Sequence, residues 1–114
     1  MTTASGERSH SEGSSTLASG YASHAGGRAS EANGNTAFAH GEHVKAEKEN
    51  SSAFGRYTTA NARNQFVVGR FNAIDTPKDS EGNGSYAFIV GNGTSESDRK
   101  NALVVEWNGK VRGQ

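Results

Sequence analysis

The sequence predicts an all-β fold, a parallel β-roll in which short coils stack as a β-solenoid. Three observations carry this expectation. Alanine recurs every fourteen residues at Ala4, Ala18, Ala32, Ala46 and Ala60. Glycine recurs on the same beat at Gly13, Gly27, Gly41, Gly55 and Gly69. Between them run short segments that alternate and end in glycine, such as Ala37-Phe38-Ala39-His40-Gly41. A strict short period marks a repeat architecture in which each unit stacks on the last.

In register, the coils span 2–15, 16–29, 30–43, 44–57 and 58–72. Each carries two half-motifs. One is Ala-Ser-Gly or Ala-Asn-Gly, at Ala4-Ser5-Gly6, Ala18-Ser19-Gly20 and Ala32-Asn33-Gly34. The other is the alternating segment, from Ser9-His10-Ser11-Glu12-Gly13 through Ser51-Ser52-Ala53-Phe54-Gly55 to Gln65-Phe66-Val67-Val68-Gly69. Both suit a short strand followed by a tight turn, where glycine tolerates positive φ. Two strands and two turns consume about fourteen residues and rise about 4.8 Å, the spacing between neighbouring strands.

Alternation assigns two faces. Ser9/Ser11, Ser23/Ala25, Ala37/Ala39, Ser51/Ala53 and Gln65/Val67 share the smaller face; His10, His24, Phe38, Ser52 and Phe66 share the larger. A narrow roll accepts only small side chains inside, so the alanine and glycine columns are assigned to the repeat core and the larger column to neighbouring chains. The converse assignment satisfies the same alternation. Lys48 replaces the glycine expected in the fourth coil, which predicts a local irregularity there.

After residue 71 the beat changes. Gly69 and Gly91 lie 22 residues apart, one period plus eight, which places an insertion within 71–85. Asp75, Thr76, Pro77, Lys78 and Asp79 read as its exposed contact loop. Tyr86-Ala87-Phe88-Ile89-Val90-Gly91 repeats the alternating half-motif in heavier residues, and Asn101–Trp107 gives a last strand before an Asn108-Gly109 turn. The chain thus divides into a five-coil repeat region, 1–71, and an insertion loop with an apolar capping coil and terminal strand, 72–114.

Only 32% of the 114 residues are hydrophobic, a value that would favour disorder without the period. A thin roll buries little surface and needs help, and association with copies of itself is the usual remedy. His10, His24, Phe38, Phe66, Phe88 and Trp107 are the candidate interface. Lysine plus arginine and aspartate plus glutamate both number 12, so no long-range field favours nucleic acid. Cysteine is absent, which excludes disulfides and thiolate metal sites. No apolar run approaches membrane-spanning length and no signal peptide is recognisable. Met1 directly precedes a repeat already in progress, as a start codon added to an excised fragment would.

The candidate chemistry is sparse. His10 and His24 stack along one column, with His40 and His43 following. An interface ladder is the default; the alternative is a metal site, with one nitrogen per chain around a threefold axis. Asp75, Asp79, Glu81 and Asp98 are expected to be solvated loop carboxylates, because the Gly-Gly-x-Gly-x-Asp calcium repeat is absent. Rows of threonine are interrupted by Ser30 and Val44, which argues against an ice-binding face. No nucleophile, base and acid fall into a recognisable arrangement. The expectation is a non-enzyme without cofactors.

Thr2–Gly13 and Ala18-Ser19-Gly20-Tyr21-Ala22-Ser23-His24-Ala25 resemble the head repeats of trimeric autotransporter adhesins, and more closely the β-roll repeats of tailed-bacteriophage fibre and appendage proteins. The runs Asn64–Asn72, Tyr86–Ser95 and Arg99–Gly109 resemble the stretch that follows such repeats in phage and prophage tail proteins. The resemblance implies a homotrimer of left-handed β-rolls, intertwined or side by side. Its function would be that of a structural segment of a virion tail fibre or appendage. Such a segment is extracellular when functional, joins neighbouring fibre segments and supports attachment to a host-surface receptor. The alternatives are an adhesin head that binds cell surfaces and a fragment of a self-cleaving C-terminal fibre chaperone.

Overall fold

Every coil contributes two strands, of two and five residues from the second coil onward, and the two sets segregate into separate sheets. In the computed structural model, which describes residues 1–114, the elements are β1 (Thr3–Ala4), β2 (His10–Ser11), β3 (Leu17–Ala18), β4 (His24–Arg28), β5 (Glu31–Ala32), β6 (Phe38–Glu42), β7 (Lys45–Ala46), β8 (Ser52–Arg56), β9 (Thr59–Ala60), β10 (Phe66–Arg70), β11 (Tyr86–Asn92), β12 (Asn101–Glu106) and β13 (Val111–Gly113). The odd strands from β1 to β9 form a five-stranded parallel sheet; the even strands join β11, β12 and β13 in an eight-stranded one. The chain is all-β, a solenoid of about five turns, measuring 38 × 30 × 18 Å.

Parallel pairing keeps the fourteen-residue offset, as in His24↔Phe38, Ala25↔Ala39 and Ala39↔Ala53. Between β10 and β11 it becomes Phe66↔Phe88 and Gly69↔Gly91, an offset of 22, so the insertion is looped out without disturbing the ladder. β11 extends the same sheet as β10, and the roll therefore crosses the 71/72 boundary unbroken. β12 and β13 then turn back antiparallel. The fourth coil is regular: Ser51 Oγ donates to Lys48 O at 2.7 Å, as Ser23 Oγ does to Gly20 O. Lys48 changes one bond only, its N–H donating to Ser51 Oγ where Gly34 N–H reaches Ala46 O.

The interior is lined by small side chains from both sheets. Ala18, Ala32, Ala46 and Ala60 face Ala25, Ala39, Ala53, Val67, Ile89 and Val104, all buried. Ala4 departs from the expectation: it lies exposed on the outermost coil, where no further coil covers it. The threonines of the Thr2 column also turn inward, and Thr16 and Thr58 are buried. Their hydroxyls donate to Glu12 O and Phe54 O at 3.0 Å, which satisfies polar atoms that would otherwise be costly in the core.

The glycine column is not core. Gly27, Gly41, Gly55 and Gly69 stand near the end of each long strand, with Gly13 just beyond β2, where successive backbones nearly touch. A Cβ on Gly27 would lie 2.2 Å from Gly41 O, and one on Gly55 would lie 1.9 Å from Gly69 O. Two further columns adopt the left-handed conformation without glycine: Arg8, Ala22, Thr36, Asn50 and Asn64, then Ser15, Ala29, His43, Tyr57 and Phe71. Their strain is offset by bonds between coils, for example Asn64 N to Glu49 O at 2.9 Å and Tyr57 N to Glu42 O at 2.8 Å.

The insertion closes the open edge of the short sheet. Thr59 N donates to Asn72 Oδ1 at 2.8 Å, and Asn72 Nδ2 donates back to Thr59 O at 3.1 Å. The buried asparagine thus imitates the missing next strand of β9, a way of blunting a sheet edge. Asp75 corrects the expectation of an exposed loop residue. It is 8% exposed, and its Oδ2 accepts from Ser85 N, Tyr86 N and Gln65 Nε2 at 2.8, 3.0 and 2.9 Å. A carboxylate that satisfies three donors inside the loop is a tether rather than a contact point. Thr76, Lys78 and Asp79 are exposed and Pro77 is half-buried.

Candidate interaction face

The outer face of the eight-stranded sheet carries the most distinctive surface of the molecule. Strand alternation sends Ala25, Ala39, Ala53 and Val67 inward, so the residues on either side of each point out. Register then stacks them coil over coil. His10 and His24 rings lie 4.8 Å apart with 5° between planes, and His24 and Phe38 lie 4.4 Å apart. Phe38–Phe54, Phe54–Phe66 and Phe66–Phe88 follow at 5.3, 5.4 and 5.9 Å. Stacked rings contribute about 0.5–1.5 kcal/mol per pair beyond the area they bury. Phe38 and Phe66 nevertheless remain 36% and 41% exposed.

Val90 and Leu103, and Phe88 and Val105, are paired across β11 and β12, which carries the apolar surface on past the ladder. The face is therefore histidine-rich at the first coils and phenylalanine- and valine-rich toward the last. Of the six residues expected there, the structure brings together His10, His24, Phe38, Phe66 and Phe88. Trp107 lies apart, 51% exposed at the β12–β13 turn and sharing a shallow groove with Lys78, Asp79 and Asn83 of the insertion. Phe54 and Val68 also belong to the face but lie outside the one outward column from which the candidate interface was drawn, and His40, expected to follow His10 and His24 in their column, stands in the neighbouring one. The position two residues further along each strand has the same parity and would have found them. Leu103 and Val105 could not be found so, because their facing depends on the antiparallel return of β12.

At the histidine end, Glu12, Gly26 and His40 form a second outward column beside His10 and His24. His10 Nε2 and Glu12 Oε1 are 3.2 Å apart, and this hydrogen bond holds the Glu12 carboxyl below its ordinary value. Burial, then the neighbouring His10, lowers the pKa of His24, which favours its neutral form. His43 is elsewhere, stacked at 4.6 Å on Tyr57 in the left-handed corner column.

Outside this strip the exposed large apolar side chains, Tyr21, Ile74 and Trp107 among them, form no second continuous row. An open groove of about 440 Å³ beside the short sheet is lined by Lys45, Glu47, Asn61, Glu96 and Arg99, among others. Arg99 is engaged structurally, donating to Tyr57 O at 2.8 Å and Asn72 O at 3.3 Å. The Asp79 carboxyl, held low by bonds from Asn83 N and Asn83 Nδ2, staples its own loop. Asp98 is likewise lowered by the Thr94 hydroxyl. No helix is long and apolar enough to cross a membrane. No family model, curated protein or solved structure matches the chain.

Proposed function

We propose that this chain is a structural fibre segment, a spacer in a phage tail or appendage. In this reading three left-handed rolls associate in parallel through the outer face of the eight-stranded sheet. The observation that carries it is the aromatic ladder. The interior is filled chiefly by alanine methyls and single valines, which bury little apolar area for a chain of this length. The larger apolar side chains are spent outside, in one continuous strip parallel to the stacking direction.

A strip with a ring or valine at nearly every coil is matched best by a body with the same coil spacing. A parallel copy of the chain is such a body. Its formal net charge of zero sets up no repulsion between copies. Function is then mechanical: stacked backbone bonds and interchain packing give stiffness, and Thr76 and Lys78 of the exposed part of the insertion are available for receptor contact.

Multi-angle light scattering across a concentration series tests the assembly, with about three chains per particle expected. Phe54→Glu, which puts a charge in the middle of the strip, is expected to shift the mass downward. A stable folded monomer would overturn the proposal.

A further inference from the structure

The histidine end of the ladder supports a more specific assignment. His10, Glu12 and His24 each offer one ligand-type atom, and these three atoms lie within 4.8 Å of one another. Donor atoms around a tetrahedral zinc ion at about 2.1 Å are about 3.4 Å apart, so the atoms must close by about 1.4 Å and the His10 ring must turn out of its stack on His24 for both nitrogens to face one ion. His10 and Glu12 side chains are 60% and 54% exposed, so rotation meets few neighbours. The space is opened by Gly26, which lacks a side chain between Glu12 and His40. A Cβ there would lie 2.5 Å from His40 Nδ1 and 3.3 Å from Glu12 Cγ. Both of those side chains therefore lean over the glycine, and His40 stands at the rim of the site.

We propose that His10, Glu12 and His24 form a binding site, complete within one chain, for a divalent transition-metal ion. Two imidazoles and one carboxylate suit a borderline ion such as zinc, with water completing the shell. Calcium and magnesium prefer oxygen donors in larger number and are poorly served. All three ligand atoms come from one chain, so one ion per chain is expected whatever the number of chains in the particle. The site also differs from an ion shared on a symmetry axis, which would take one nitrogen from each copy.

Isothermal titration of the untagged protein with zinc chloride tests it, with calcium chloride run in parallel and particle mass measured on the same samples. One zinc per chain and no calcium heat are expected. His24→Gln and Glu12→Gln should each weaken zinc binding by about tenfold or more, while His43→Gln leaves it unchanged. Circular dichroism melts of the variants separate lost ligands from lost fold. Absence of zinc heat, unchanged affinity in His24→Gln, or one ion per three chains would overturn the site. Monomeric mass with one zinc per chain would overturn the trimer alone.

Discussion

Replacing Gly55 with alanine adds one methyl group at the most crowded point of the solenoid. The new Cβ would sit 1.9 Å from Gly69 O and 2.9 Å from Gly69 C, well short of the 3.4 Å at which ordinary contacts begin. The obstacle is backbone, held in its own ladder, so β8 and β10 must separate to admit it. Losing two or three inter-coil hydrogen bonds costs about 1 kcal/mol each. The φ of +111° adds strain on the order of 1–2 kcal/mol for a residue with a side chain. The total is roughly 3–5 kcal/mol, a large share of the 5–15 kcal/mol that ordinary domains possess.

Gly109 supplies the control. Its φ is +93°, yet nothing lies within 4 Å of the position a Cβ would take, so Gly109→Ala carries strain without collision. Urea denaturation followed by far-ultraviolet circular dichroism, at one fixed chain concentration, compares the two. With a slope of about 2 kcal/mol/M, Gly55→Ala should lower the midpoint by about 2 M and Gly109→Ala, with strain alone, by about 0.5–1 M. Equal shifts would show that conformational strain, and not contact between coils, explains the glycine column.

Other perturbations probe the remaining parts. Ala39→Leu forces three extra carbons between Ala25 and Ala53, and overpacking of about 1–3 kcal/mol should lower the melting temperature by several degrees; unchanged melting would refute the interior packing. Asp75→Ala leaves the Ser85 and Tyr86 N–H groups and Gln65 Nε2 without their shared acceptor, a loss of about 2–5 kcal/mol measurable by the same denaturation. Asp79 is lowered in the folded state, so its contribution is present above the unfolded pKa and lost as pH falls through the folded one. The melting difference between the parent and Asp79→Asn should accordingly be constant near neutrality and close at pH values below the ordinary 3.8. A gap that persists at low pH would exclude the carboxylate as its source.

The period alone determined a great deal. Fourteen-residue recurrence demanded stacked coils, alternation separated two faces, and the size limit of a narrow roll put Ala18, Ala32, Ala46 and Ala60 inside. The Gly69-to-Gly91 offset located the insertion, because register in a parallel ladder must be conserved for hydrogen bonds to form. Local sequence was silent wherever the deciding partner is distant in the chain. Asp75 reads as a loop carboxylate until Gln65, Ser85 and Tyr86 are folded around it. Asn72 is only the last residue of the fifth coil in the sequence, and its role emerges when it faces the bare edge of β9. Left-handed residues at Ala29, Thr36 and Phe71 are disfavoured locally and exist because bonds to the adjacent coil outweigh the strain. The turn that takes Trp107 away from the ladder, and the pairing that adds Leu103 and Val105 to it, follow from the direction of β12. Only tertiary structure sets that direction, since a strand's sequence is compatible with either orientation.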